Sequence, residues 1–410
     1  MDIFDISDEG QIPDILDWAL SGKKALQIQG NNSKAALGRP VHADAGLRLA
    51  GLEGVEMHEP AELVMQAKAG TSLMTVQDVL KQAGQKLAFS PPDYGPLLGL
   101  DPGLSTIGGV FGCNLSGSAR IKAGAARDHL LGVRGFSGRG EAFQTGSRVM
   151  KNVTGYDLCK LVCGSYGTIA LCTSLTFKVL PRPEKSRTVL VFGLQSEQAV
   201  TAMRDALSSV HEVSAAAYLP AEIAARTDIG HVTNGMASVT AFLVEGPAPS
   251  AEYRCAALRD EMKDVGSLEE LHGHNSEKFW TFTGNASAFT GDMQRVVWRV
   301  SIPPASASAY IEALSGAHPE AEYFMDWGGG LIWVAMPEGA EDGGEDVIRN
   351  AMKEGGHATL IRGSAALRER ISPFQPQSKA MNILSEKVRK GFDPEGIFNP
   401  GRMYPVEGQG

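Results

Sequence analysis

Two stretches of this chain carry the residue types needed to hold a charged ligand against the backbone. The first, Gly30, Asn31, Asn32, Ser33 and Lys34, follows a short apolar run and offers successive N–H groups, two amides, a hydroxyl and an ammonium within five residues. Consecutive N–H groups at the end of a strand can cradle a pyrophosphate. The same residues can also serve as a plain Asn/Gly turn between two strands. The second stretch, Asp101 to Arg127 (DPGLSTIGGVFGCNLSGSARIKAGAAR), mixes glycine, small hydroxyl residues and Asn114 with no helical or strand period. Clustered glycine costs backbone entropy, so it implies either a large ligand close to the main chain or backbone at positive φ. A flexible Gly/Ser linker would lack the apolar Ile107, Val110, Phe111 and Leu115 that interrupt the small residues here, which favours a ligand-lined loop.

Composition narrows the classes. A chain of 410 residues exceeds one ordinary core and predicts about two domains. A formal net charge of −9 argues against a nucleic-acid binder, which needs a surplus of lysine and arginine to neutralise phosphates. The five cysteines are scattered and odd in number, as expected in a reducing compartment. Cys159 and Cys163 share a helix face at i, i+4, but no further pair stands at iron–sulfur ligand spacing, and they read as small buried apolar residues. No run approaches the roughly 18 apolar residues of a membrane span, and the acidic start MDIFDISDEG is unlike a signal peptide. The expected location is cytoplasmic.

The elements that must position these stretches follow from periodicity. Ile12, Ile15, Leu16, Ala19 and Leu20 recur at helical spacing and end at Gly22, and Ala25 to Ile28 reads as the strand feeding the first loop. A strand over 61–69 precedes a helix with Thr75 as its expected N-cap and Gly84 as its stop. A short helix through Leu161, a glycine-rich corner and a strand from Ile169 to Val179 lead to Pro181 and Pro183, which mark a domain boundary. Beyond it, strands at 188–193, 237–244, 293–301, 322–327 and 331–336 alternate with helices near 196–208, 251–264, 305–314 and 345–354, an α+β pattern. The chain closes with a helix around 378–390 and the turn FNPGRM. The predicted domains are therefore 1–183, 184–370 and a C-terminal segment, 371–410, that returns to the first.

Taken in order, GNNSK, DPGLSTIGG, NLSGSARIKAGAARDHLLGVR, KNVTGYDLCKLVCGSYGTIALCTSLTFKVLPRP and FNPGRM resemble the FAD-binding oxidoreductases of the vanillyl-alcohol oxidase and p-cresol methylhydroxylase superfamily. Within it, IQGNNSK, MKNVTGYDL, DWGGG and FNPGRM are similar to the FAD-binding E subunits of glycolate oxidase. The resemblance implies an α+β fold, a two-part FAD-binding domain followed by an α+β oxidase domain. It implies FAD on Gly30, Asn31, Asn32, Ser33 and Lys34, along Ser105, Thr106, Gly108, Gly109, Asn114, Ser116 and Gly117, and beside Gly124, Arg127 and Asp128, with Gly167 and Ile169 near the adenine. No GxGxxG opens a helix after a strand, so a Rossmann unit is not expected. The superfamily's covalent flavin link uses a histidine or similar residue in the first loop, where this chain has asparagine and serine; non-covalent FAD is expected.

The resemblance also shows what is missing. Related D-2-hydroxyacid dehydrogenases carry a histidine-rich metal block in the second half, where this chain has FMDWGGGLIWV. No metal is expected, and the pair His272 and His274 reads as a polar loop. Oxidising a hydroxy acid needs a base and a cationic grip on the carboxylate beside the flavin. Arg402 and Lys151 are the candidate grips and His129 the candidate proton carrier. The implied role is an FAD-holding subunit of a glycolate oxidase, with glycolate oxidised mainly on a larger FAD-containing partner. An iron–sulfur subunit would pass electrons toward a membrane quinone pool, giving at most peripheral membrane attachment. A self-sufficient 2-hydroxyacid dehydrogenase and a non-catalytic flavin-binding assembly subunit are the alternatives.

Overall fold

The computed structural model describes residues 1–147, 156–339 and 342–405, so Lys151 lies outside the described residues. The chain forms two compact units. One comprises Met1–Leu115, Gly124–Arg182 and Arg368–Gly410, the other Ser116–Ala123 and Pro183–Leu367.

In the first unit the helix Ile12–Gly22 starts on a proline turn and stops where Lys23 turns left-handed, at φ 50°. Its buried Ile12, Leu16 and Ala19 pack with Leu26, Leu47 and the C-terminal Ile397 and Phe398 in one apolar core. Three parallel strands lie here, Ala45–Arg48 between Asp2–Asp5 and Leu26–Gln29. The C-terminal turn is bonded onto the last of them: Leu26 N donates to Ile397 O at 2.7 Å and Asn399 N to Leu26 O at 3.0 Å. A second, antiparallel sheet runs Val55–Glu59, Val64–Lys68, Ala170–Lys178, Leu130–Ser137, Ala142–Gly146. The helix Leu73–Gln82 is capped by Ser72, which accepts from Thr75 N at 2.9 Å. The cap thus falls three residues before the expected Thr75, because the hydroxyl must precede the N–H it satisfies. The short helix Ile107–Gly112 is capped by Thr106 and lies so close to the preceding strand that a Cβ on Gly108 would stand 2.7 Å from Ala69 O. Only glycine fits that approach.

The second unit is built on an eight-stranded antiparallel sheet. Its order is Ser267–His272, Lys185–Phe192, Val239–Gly246, Ala215–Leu219, Glu322–Asp326, Leu331–Met336, Val296–Ser301, His357–Arg362. Helices Ser196–Ser208, Ala248–Met262 and Ala307–Ala317 occupy the expected spans within a few residues. Three strands escaped the sequence pattern. Ala215–Leu219 is buried at all five positions and so shows no alternation, while Ser267–His272 and His357–Arg362 are the two edge strands. His272 ends the first of these edges and Gly273 opens the helix Gly273–Gly284, so the histidine pair sits at a strand-to-helix junction instead of a loop. Ser116–Ala123, expected within 1–183, packs with this unit: Ser118 Oγ donates to Asp326 Oδ2 at 2.6 Å and Trp327 Nε1 to Gly117 O at 3.1 Å.

Candidate functional site

The strand Leu26–Gln29 ends at a cleft that lies wholly within the first unit and encloses about 900 Å³ of non-atom space, its open mouth included. That is within the range of cofactor sites. Its rim carries Gly30, Asn31, Asn32, Ser33, Lys34, Thr106, Gly108, Gly109 and Gly167, and Leu49, Ala69, Leu130, Val162 and Leu175 line its apolar part.

The loop from Gly30 is shaped from behind. Arg402 Nη2 donates to Lys34 O at 2.7 Å and Nε to Leu37 O at 3.4 Å, while Arg368 Nη1 donates to Gly38 O at 3.0 Å. With the carbonyls drawn toward the arginines, the N–H groups of Asn31, Asn32, Ser33 and Lys34 have no acceptor among the described residues. Four consecutive free donors require an anion or water. Asn32 adopts φ 58°, a left-handed step that asparagine tolerates. A Cβ on Gly30 would lie 2.6 Å from Thr106 Oγ1, so the two glycine-rich stretches are in direct contact.

Among the described residues Lys34 is the one ammonium lining this cleft. It is buried, and Nζ donates to Ser33 Oγ at 3.2 Å and Ser105 Oγ at 3.1 Å. Ser105 donates in turn to Asp93 Oδ1 at 2.9 Å, and Asp93 accepts from Gly95 N and Gly103 N. Burial pushes the Lys34 ammonium below its ordinary range, with Cys113 and Asp93 opposing that shift and Arg402 adding to it. A charged lysine among hydroxyls, with its nearest carboxylate one hydroxyl away, is completed by an anionic ligand. A Cβ on Gly112, also on the rim, would meet nothing within 4 Å, so a flat ligand can lie on the backbone there.

The remaining sequence candidates divide. Ser105 stands behind the rim and acts through Lys34. Asn114 Oδ1 accepts from Arg127 N at 3.0 Å and Asp128 Oδ2 from Ala125 N at 2.8 Å, while Gly124 turns at φ 85°; these residues build a corner beside the cleft without lining it. Ile169 is core. Ser116 and Gly117 belong to the second unit. His129 is buried with its ring 5.2 Å from that of Phe89 and does not reach the cleft. Arg402 lines the cleft, but its guanidinium serves the backbone carbonyls of Lys34, Leu37 and Tyr166.

Sequence reasoning missed Asn399 and Tyr166. Asn399 is fully buried, accepts from Ile28 N at 2.9 Å and donates to Tyr166 O at 2.8 Å, joining the first strand, the glycine corner and the chain's end at the cleft wall. The FNPGRM turn was its available signal. The cleft cysteines Cys113, Cys163 and Cys172 are thiols whose ionisation burial pushes up, Cys172 to about 12.

Residues 3–146 match the family model described as an FAD binding domain. Over 393 residues the chain is 33% identical to glycolate oxidase subunit GlcE of Escherichia coli, covering 94% of each protein. The chain belongs to the GlcE family. It is thus an FAD-linked oxidoreductase, and the donors and buried lysine of the cleft suit the pyrophosphate of that cofactor. GlcD of Bacillus subtilis, another glycolate oxidase subunit, is 22% identical over 80% of this chain and 73% of its own. Two subunits named for one oxidase mark the GlcE family as part of a multi-subunit enzyme. The fold matches p-cresol methylhydroxylase with a TM-score of 0.69 at 13% identity, over 98% of this chain and 88% of that one. No helix among the described residues is long and apolar enough to cross a membrane.

Proposed function

We propose that this chain is the FAD-binding subunit of a complex that oxidises glycolate to glyoxylate, and that it relays electrons while the main oxidation occurs on a larger FAD-containing partner. An iron–sulfur subunit receives those electrons, and the complex meets the membrane only peripherally, from the cytoplasmic side. The observation that carries this reading is the end-to-end match to a glycolate oxidase subunit, falling on a chain whose cleft has the donors for FAD.

Bound without a covalent link, FAD would supply a hydride acceptor that can release its electrons onward. The chain's own residues do the holding. Free N–H groups from Asn31 to Lys34 bind the pyrophosphate, Lys34 balances its charge, Thr106 buttresses Gly30, and Arg368 and Arg402 keep the loop in shape. The division of labour is supported by the cleft's chemistry: His129 is buried against Phe89 and does not line it.

The test is anaerobic mixing of the FAD-loaded chain with glycolate, alone and after assembly with its partners. Flavin bleaching is expected only in the complex. Fast bleaching of the isolated chain would make it a self-sufficient 2-hydroxyacid dehydrogenase instead.

A further inference from the structure

Two exposed helix faces of the first unit carry opposite charge, and the cofactor cleft uses neither. The stretch from Met1 to Gly22 holds six acidic residues and no lysine or arginine. Asp5 and Glu9 are bound by Arg48 and Arg134, and Asp8 caps its own turn. Asp14 and Asp17 make no ion pair or side-chain hydrogen bond among the described residues. On the helix Ile12–Gly22 they stand with Trp18 and Ser21 at i, i+3, i+4 and i+7, an exposed stripe facing away from the buried Ile12, Leu16 and Ala19. Trp18 is 41% exposed, with its ring edge-on to that of Phe4 at 5.3 Å.

The helix Lys379–Phe392 is the basic counterpart. It carries four basic residues and one acid, Glu386, which Arg389 and Lys390 already bind. None of its 14 residues is buried. Ala380, Ile383, Leu384, Lys387 and Gly391 form its outer stripe, again at helical spacing, with Ile383 51% and Leu384 54% exposed. Lys379 and Lys387 have no carboxylate partner among the described residues. A helix that buries no residue draws little stability from packing, and its two branched side chains stay in water until another surface covers them.

The covering surface must be acidic with an apolar centre, and the stripe of Asp14, Asp17 and Trp18 is both. One turn, at residues 137–141, touches both helices. Gly138 N donates to Phe392 O at 2.9 Å, and a Cβ on Gly140 would lie 3.3 Å from Leu20. Both helices end beside that turn, so a two-fold axis next to it can set each acidic helix against the basic helix of a second copy and make the same contact twice. Ala380 and Gly391, small residues near the two ends of the basic stripe, let the helix axes approach closely. Trp18 would then cover Ile383 and Leu384, while Asp14 and Asp17 would pair with Lys387 and Lys379.

We propose that this chain forms a symmetric dimer in which the helix Lys379–Phe392 of one copy docks on the acidic face of Ile12–Gly22 of the other. The charges select partner and register, and the apolar residues supply most of the affinity.

Sedimentation velocity of the FAD-loaded full chain over a concentration series tests this. A monomer–dimer equilibrium is expected, weakened several-fold between about 0.1 M and 0.5 M salt as the exposed ion pairs are screened. Lys387→Glu and Asp17→Lys should each weaken dimerisation by about tenfold, and the double variant should recover most of that loss, because the reversed pair attracts again. Leu384→Ser should weaken the dimer and leave its salt dependence unchanged. FAD content and far-ultraviolet dichroism report whether each variant is folded. A wild type that stays monomeric, a dimer that both single reversals leave unchanged, or a double variant as weak as its singles combined would overturn the pairing. A monomer that sediments with phosphatidylglycerol vesicles through Lys387 would assign the basic helix to an anionic membrane, and a monomer whose Lys387→Glu variant fails to assemble with the other subunits would assign it to a partner protein; either result overturns the dimer. Glycolate turnover is not a readout of this contact, so the dimer and the proposed function stand or fall separately.

Discussion

The FAD cleft and the Trp327 corner gather their polar groups by opposite means. In the cleft the donors are backbone N–H groups set in sequence, with one buried lysine behind them. Around Trp327 the polar groups are long side chains, Arg120 from a short helix and Arg299 from a strand, that meet over one indole. Backbone donors survive every substitution except proline and are otherwise only displaced; side-chain donors can be removed one at a time.

That contrast orders the expected effects. The largest should come from displacing the cleft's backbone. Gly30→Val puts a Cβ 2.6 Å from Thr106 Oγ1 and should weaken FAD binding by more than about 100-fold, close to 3 kcal/mol, read by flavin retention on gel filtration. Lys34→Met leaves the backbone donors in place and should cost roughly 10- to 100-fold, the scale of one charge-assisted hydrogen bond. The sign with pH follows from the lowered Lys34 value: raising pH strips the proton that balances the pyrophosphate, so wild-type affinity falls while that of Lys34→Met stays flat. A pH-independent wild type would mean that the lysine does not change its charge over that range.

A smaller effect is expected where the chain's end is tied to the cleft. Buried Asp393 accepts from Ile397 N at 3.0 Å and Phe398 N at 2.9 Å. Asp393→Ala leaves both donors unpaired and should lower stability by about 1–3 kcal/mol in urea melts, with a parallel loss of FAD. The last, read as a slope with pH, concerns the latch of the second unit. Asp326 keeps its proton up to about 7, so the folded chain binds a proton that the unfolded chain has released. Stability is therefore greatest in acid and falls as pH rises from the ordinary carboxylate range toward 7, by at most about 1.4 kcal/mol per pH unit. Asp326→Asn should abolish that fall, the two proteins converging at low pH and separating near neutrality. Parallel curves would show that Asp326 is ionised in the folded state.

The same contrast decides what could be read in the sequence. Gly30 to Lys34, Thr106, Gly108 and Gly109 were legible because a backbone-built site leaves a local mark in composition, Gly167 came through the family resemblance, and all of them line the cleft. Its apolar residues Leu49, Leu130 and Leu175 were not, since a leucine facing a cofactor and one facing the core look alike along a strand. Ser116 and Gly117 continue the glycine-rich stretch without a break, yet the chain crosses into the second unit there. Arg299 and His357 were invisible as a pair, because only the register between an interior strand and an edge strand sets them side by side. The fold followed the same rule: helices with marked ends were found within a few residues, while the all-buried Ala215–Leu219 and both edge strands were missed.

The central claim is that the flavin held by this chain lies on the path from glycolate to the electron acceptor. It is tested most directly by assembling the complex with Gly30→Val, counting flavin and measuring glycolate turnover. The account predicts an assembled complex that lacks this subunit's FAD and has lost glycolate oxidation. Full turnover by an assembled complex missing that flavin would contradict it and leave the subunit a role in assembly alone.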